Sequence, residues 1–153
     1  MNTSSTSQSS DDPNRLTPLH AASSRGNFEV VKGLVEVGKA EVDKTTNDGG
    51  TTSNYTSLLF ACQGGHLEVA KCLVEGGKAD VDKAAHDGST SLFVASCQGE
   101  LEVVKYLVGE CKAEANKATN DGTTPLEMAE HCGHEEIVEY LKEKGAKDQE
   151  GDE

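Results

Sequence analysis

The chain has 153 residues, no tryptophan, three phenylalanines and three tyrosines, which disfavours one central core built on large aromatic side chains. Its formal net charge of −13 repels phosphate groups, so we expect neither nucleic acid nor a membrane surface as a partner. The same charge either suits a basic partner surface or only confers solubility. Five cysteines without a C-x-x-C pair predict free thiols in a reducing, cytoplasmic or nuclear compartment, and the N-terminus carries no signal-peptide pattern.

The first feature along the chain is a serine- and threonine-rich stretch at residues 1–12, which we expect to be a disordered tail. A repeating pattern follows over residues 13–147. Its four leading threonines, at positions 17, 56, 90 and 124, are separated by 39, 34 and 34 residues. Self-similarity at this spacing predicts four structural units, at about 14–46, 47–85, 86–119 and 120–147, here called units 1 to 4. We expect residues 148–153 to be an acidic tail.

Each unit is predicted to begin with a short helix. The leading threonine is a good N-cap, because its hydroxyl can accept from a backbone N–H that the first turn leaves unpaired. Pro18 and Pro125 would occupy the first helical position, which Ser57 and Ser91 take in the other two units. Glycines suited to a left-handed helix end follow at regular positions: Gly26, Gly65, Gly99 and Gly133.

A second helix is predicted after each of these glycines. In unit 1 its apolar residues are Val30, Val31, Leu34 and Val35, a stripe that we expect to be buried, and unit 3 repeats it. Asp-Gly pairs at 48–49, 87–88 and 121–122 predict tight turns between units. Because no unit can bury such a stripe alone, the pattern predicts an all-α solenoid of stacked helix-turn-helix units.

These motifs resemble the ankyrin repeat. The residues that carry the likeness are T-P-L-H-A-A at 17–22, the glycine between the two helices, the Asp-Gly turns, and G-K-A-D-V-D at 77–82. The tetratricopeptide repeat has a similar period, but the glycine within each unit argues against it. The resemblance covers about residues 14–147 and implies an ankyrin-repeat solenoid with β-turn loops that binds another protein.

The chain departs from the family pattern in several places. The histidine of the T-P-L-H motif survives only as His20, so the hydrogen bonds that it makes in the family should be weaker in the middle units. Residues 50–55 lengthen one loop, and Glu135 and Lys142 make the last helix polar, as expected for a capping unit that completes the protein. In three of the units one extra residue lengthens the loop after helix two: Lys39, Lys78 and Lys112.

The resemblance implies a binding surface made of the turn fingers and the exposed side of the first helices. Tyr55, in the lengthened loop, is a residue type favoured at interfaces. Leu59 and Phe93 either line an apolar strip there or pack against neighbouring helices, and we favour packing. The bland alternative is that the polar residues are merely solvated. The predicted partner-binding residues are Asn47, Asp48, Tyr55, Gln63, His86, Asp87, Ser89, Phe93, Gln98, Asn120, Asp121, Thr123 and His131.

The competing hypothesis is a metal-dependent or enzymatic module that uses cysteine and histidine side chains. His131, Cys132 and His134 are close in sequence, but their spacing matches no zinc signature, and no catalytic motif is present. Cys62 and Cys97 are better interpreted as small packing residues. We therefore predict no catalytic residue, metal or cofactor, and a monomeric protein-interaction module that acts as a scaffold, adaptor or inhibitor.

Overall fold

A computed structural model describes residues 16–47 and 54–147. Within these residues the chain forms four helix pairs and no strand, and none of the helices is long and apolar enough to cross a bilayer. The predicted tails and Asp48 lie outside the described residues, and the unit bounds stay predictions. The helices are α1 (Pro18–Arg25), α2 (Phe28–Glu36), α3 (Ser57–Gln63), α4 (Leu67–Lys71, continued by a π-helical segment, Cys72–Gly76), α5 (Ser91–Gln98), α6 (Leu101–Lys105, continued by a π-helical segment, Tyr106–Glu110), α7 (Pro125–Cys132) and α8 (Glu135–Glu143).

The pairs stack side by side. The first helices α1, α3, α5 and α7 contact one another in succession, and the second helices form a parallel row behind them. Equivalent leucines of the second helices, Leu73, Leu107 and Leu141, are completely buried in the core that runs through all units. The predicted all-α solenoid is thus confirmed, because the core is formed where neighbouring units pack against each other.

Local capping explains why the first helices begin and end where they do. The four threonine hydroxyls each accept from the backbone N–H three residues later, at 3.1–3.2 Å. The helices of units 1, 3 and 4 end at glycines with φ of 75°, 81° and 78°. In unit 2 the left-handed residue is Gly65, with φ of 72°. These caps confirm the predicted helix boundaries.

The apolar stripe of unit 1 is only partly buried. Val31 and Val35 are in the core, but Val30 is 44% exposed, whereas its equivalents Val69 and Val103 are each 1% exposed. This position faces the preceding unit, and no unit precedes unit 1 among the described residues. The prediction that Val30 is buried was therefore wrong, because a stripe is covered only where a neighbour exists.

The extra lysine in units 1 to 3 changes the end of the second helix. Lys39, Lys78 and Lys112 have left-handed φ values of 53°, 60° and 58°. The residue before each one donates its N–H to the carbonyl five residues earlier, a π-helical bond of 3.0–3.1 Å. Unit 4 lacks the extra residue, and its left-handed position is Gly145, with φ of 91°. The added residue is therefore absorbed as one wide turn.

The buried histidine joins unit 1 to the segment that leads into unit 2. Nε2 of His20 donates to the carbonyl of Lys44 at 2.8 Å, and Nδ1 accepts from the N–H of Thr17 at 3.1 Å. Leu59 and Phe93 cannot make these bonds, as expected. Glu127 accepts instead from the N–H of Thr124, at 3.1 Å.

A different set of hydrogen bonds links every unit to the next. One side-chain oxygen in the loop after the second helix accepts from a backbone N–H in the following unit. The pairs are Asp43 with Asp80 (3.0 Å), Asp82 with Glu114 (3.1 Å) and Asn116 with Lys147 (2.7 Å). The middle units are therefore tied at these loops, although they lack the histidine.

Candidate partner-binding surface

Two turn fingers of the same construction project from units 3 and 4; finger 3 comprises residues 85–89 and finger 4 residues 119–123. In finger 3 the N–H of Ala85 donates to the carbonyl of Ser89 at 2.8 Å, and the carboxylate of Asp87 accepts from the N–H of Ser89 at 2.9 Å. Finger 4 repeats this pattern. Gly88 and Gly122 have φ of 89° and 91°, which confirms the predicted turns at these two sites.

The two fingers are fastened to each other. The N–H of Asn120 donates to the carbonyl of Asp87, and its side-chain amide donates to the carbonyl of His86, both at 2.9 Å. A Cβ atom added at Gly88 would lie 2.6 Å from the backbone nitrogen of Asn120. The fingers are thus held in close contact at a fixed spacing.

A groove of about 510 Å³ lies along the fingers and the neighbouring first helices. Phe93 of α5 and Met128 of α7 provide its large apolar side chains, and both are half-buried. Met128 was not among the predicted residues, and its counterpart in unit 3, Val94, is buried. The groove brings together seven predicted residues: His86, Asp87, Ser89, Phe93, Asn120, Asp121 and Thr123.

The groove carries acidic groups at the finger tips. The hydroxyl groups of Thr119 and Thr123 and the N–H of Thr123 donate to the carboxylate of Asp121, and these bonds hold its pKa below the ordinary value. The side chains of Asp87 and Asp121 are exposed. Among the described residues that line the groove there is no lysine or arginine. The tips therefore present negative charge to solvent.

Four further predicted residues lie outside the groove lining and are exposed to solvent. Gln63, Gln98 and His131 are exposed at the ends of α3, α5 and α7, and Asn47 is exposed before the second unit. Ser89 is only 4% exposed, so its side chain is not available to a partner as predicted. It is buried because it closes the base of finger 3 and leads directly into the cap of α5.

Tyr55 also differs from the prediction. Its side chain is 8% exposed and packs with Leu59 and Ala85, with its ring 5.1 Å from the ring of Phe60. Two hydrogen bonds with Thr46 set this orientation. The N–H of Thr46 donates to the carbonyl of Tyr55 at 3.0 Å, and the N–H of Tyr55 donates to the hydroxyl of Thr46 at 3.2 Å. Burial raises the pKa of the Tyr55 hydroxyl. The ring thus stabilises the interior and does not reach a partner, and Leu59, at 0% exposure, packs as favoured.

Cys62 and His134 are used for packing and hydrogen bonding. Burial raises the pKa of the Cys62 thiol to about 12, which leaves it as an unreactive core residue. Nε2 of His134 donates to the carbonyl of Cys97 at 3.0 Å. In the described part of the chain, no three His, Cys, Asp or Glu side chains are grouped so that they could hold a metal ion.

Comparison with known families agrees with this architecture. A family model for ankyrin repeats matches residues 3–83, 41–119 and 58–152, and together these matches span most of the chain. The chain belongs to the ankyrin-repeat family. Ankyrin repeats are generally protein–protein interaction modules and typically non-enzymatic scaffolds. A search of curated proteins found none that matches the chain.

Proposed function

We propose that this protein is a non-enzymatic interaction module, acting as a scaffold, adaptor or inhibitor. It binds a protein partner through fingers 3 and 4 and the exposed ends of the first helices. The observation that carries the proposal is the pair of fingers fastened through Asn120, which presents a preformed groove. Rigid presentation lowers the entropy lost on binding, because the contact residues are already ordered.

The proposed contact surface follows the groove and continues along the first helices. A basic partner surface suits the exposed carboxylates, and the net charge of −13 disfavours nucleic acid. We propose a monomer in a reducing compartment, cytoplasmic or nuclear, in keeping with five free cysteines. The contact residues are Asn47, Gln63, His86, Asp87, Phe93, Gln98, Asn120, Asp121, Thr123, Met128 and His131.

Site-specific photo-crosslinking in the native cell tests this proposal. A photoreactive residue placed at His86 or Gln98 should capture the same protein covalently, whereas one at Glu102 or Glu110, exposed on the second-helix side of unit 3, should not. Mass spectrometry identifies the captured protein. Equal capture from both sides of the solenoid, or no protein adduct from the first two positions, would contradict the proposal.

A further inference from the structure

We propose that the groove along fingers 3 and 4 receives an extended partner segment, which inserts one apolar side chain flanked by lysine or arginine. This inference rests on the proposed function and specifies its ligand. The occupant is thus a basic linear segment of another protein.

The apolar part of the groove indicates that the partner inserts an apolar side chain. Phe93 and Met128 lie on neighbouring first helices and keep part of their surface open to solvent. The large apolar residues that are more exposed than these two, Leu16, Val30 and Val37, all belong to unit 1 and do not line this groove. A groove of about 510 Å³ has room for one aliphatic or aromatic side chain and its adjoining backbone. The flexible thioether of Met128 can adapt to its shape.

The negative charges beside this apolar strip indicate that basic residues flank the inserted side chain of the partner. Asp87 on finger 3 and Asp121 on finger 4 stand at the exposed tips, each carboxylate fixed by hydrogen bonds to its own turn. These hydrogen bonds use one oxygen, Oδ1, of each carboxylate. The described groove lining contains no lysine or arginine to neutralise them. A lysine or arginine on either side of the inserted residue would therefore meet a carboxylate.

The fastening of the fingers favours a linear segment over a globular surface. Asn120 holds the two tips together through backbone carbonyls of finger 3, so the groove cannot widen without breaking two hydrogen bonds of 2.9 Å. An extended chain fits a groove of fixed spacing, because only one side chain must enter. The polar finger edges remain available to its backbone.

The experiment begins with a selection of random 12-residue peptides against the full chain. We expect enriched sequences in which one Leu, Ile, Phe or Met is flanked by Lys or Arg. The best peptide is then synthesised in three forms: unchanged, with the apolar residue replaced by Ser, and with its basic residues replaced by Gln. Each replacement should weaken binding, measured by fluorescence anisotropy, about ten-fold.

Variants of the protein complete the test. D87N with D121N keeps the oxygen acceptors of both turns but removes two charges, and should weaken the unchanged peptide about three- to ten-fold. The matched control, E102Q with E110Q, removes two exposed charges on the second-helix side of unit 3 and should leave binding unchanged. Phe93→Ala should weaken binding at least about ten-fold; Met128→Ala serves as the second apolar variant if the first lowers the melting temperature.

The outcomes separate this inference from the proposed function. If selected peptides compete for the finger face but are acidic or lack an apolar residue, the inference fails and the proposed function stands. If the charge variant and its control weaken binding equally, the basic part of the inference is wrong. If no peptide binds and the crosslinking at His86 and Gln98 also captures no protein, both fail.

Discussion

Glu100 occupies a position where a histidine would join units 2 and 3. In units 2 and 4 the equivalent side chains, His66 and His134, each donate through Nε2 to a carbonyl of the preceding unit, at 3.1 and 3.0 Å. Glu100 lies in the same place, because its carboxylate approaches Gly65 just as His66 approaches Gly26. An ionised carboxylate has no proton to donate, so the equivalent carbonyl, that of Gln63, gains no such bond.

We therefore expect Glu100→His to stabilise the protein. One added hydrogen bond contributes a net free energy of unfolding of about 0.5–1.5 kcal/mol. For a chain of this length that corresponds to a rise in melting temperature of roughly 1–6 °C. Glu100→Ala is the control, because it removes the same charge near the start of α6 without supplying a donor. His134→Ala removes an existing bond of this kind and should lower the free energy of unfolding by about the same amount.

Urea denaturation followed by circular dichroism measures these differences. The slope of unfolding free energy against urea should stay constant, so that midpoints can be compared directly. If Glu100→His is no more stable than Glu100→Ala, or if His134→Ala unfolds at the wild-type midpoint, the carbonyl bonds contribute nothing and the reasoning is refuted.

Three further predictions concern other positions. Ser57→Pro should raise the unfolding free energy by about 0.4–1 kcal/mol. Thr56 (φ −94°, ψ 168°) already has a conformation allowed before proline, and the Ser57 hydroxyl is buried without a hydrogen-bond partner. A lower urea midpoint would contradict this prediction. Burial lowers the pKa of His20 below its ordinary 6.5, so the unfolded chain takes up the proton more readily than the folded chain. The free energy of unfolding should therefore fall as the pH drops below 6.5. His20→Leu, which copies the residue of unit 2, should reduce this dependence on pH, measured by urea titrations at several pH values. Leu107→Ala should destabilise by about 2–5 kcal/mol through a cavity, whereas Gln98→Ala should stay within about 0.5 kcal/mol; equal midpoints would show the faces to be misassigned.

The parts of the fold that sequence reasoning predicted correctly depend on short-range rules. A threonine cap needs only an N–H three residues away, and a left-handed helix end needs only a glycine, so both are visible in the local sequence. The inward orientation of Tyr55 is different. It depends on hydrogen bonds to Thr46 and on packing against Ala85, across a loop whose length the sequence shows but whose path it does not.

The candidate site was predictable to a similar degree. The Asp-Gly motif located both fingers, because the left-handed turn is a local requirement, and seven of the predicted residues line one groove. The alignment of Phe93 with Met128 was not predicted. These residues differ by one position in the repeat register, so only the relative placement of α5 and α7 brings them together.

The π-helical turns bear on how arrays of this kind can be lengthened or recombined. Ala79 and Ala113, in units with the extra residue, and Ala146, in the unit without it, are all 8% exposed, so this position is buried to the same degree in both unit lengths. The residue gained at the end of the second helix is thus confined to one turn, and the alanine that follows it is equally buried with and without the extra residue. A repeat array can therefore vary by one residue at this point without exposing the alanine that follows.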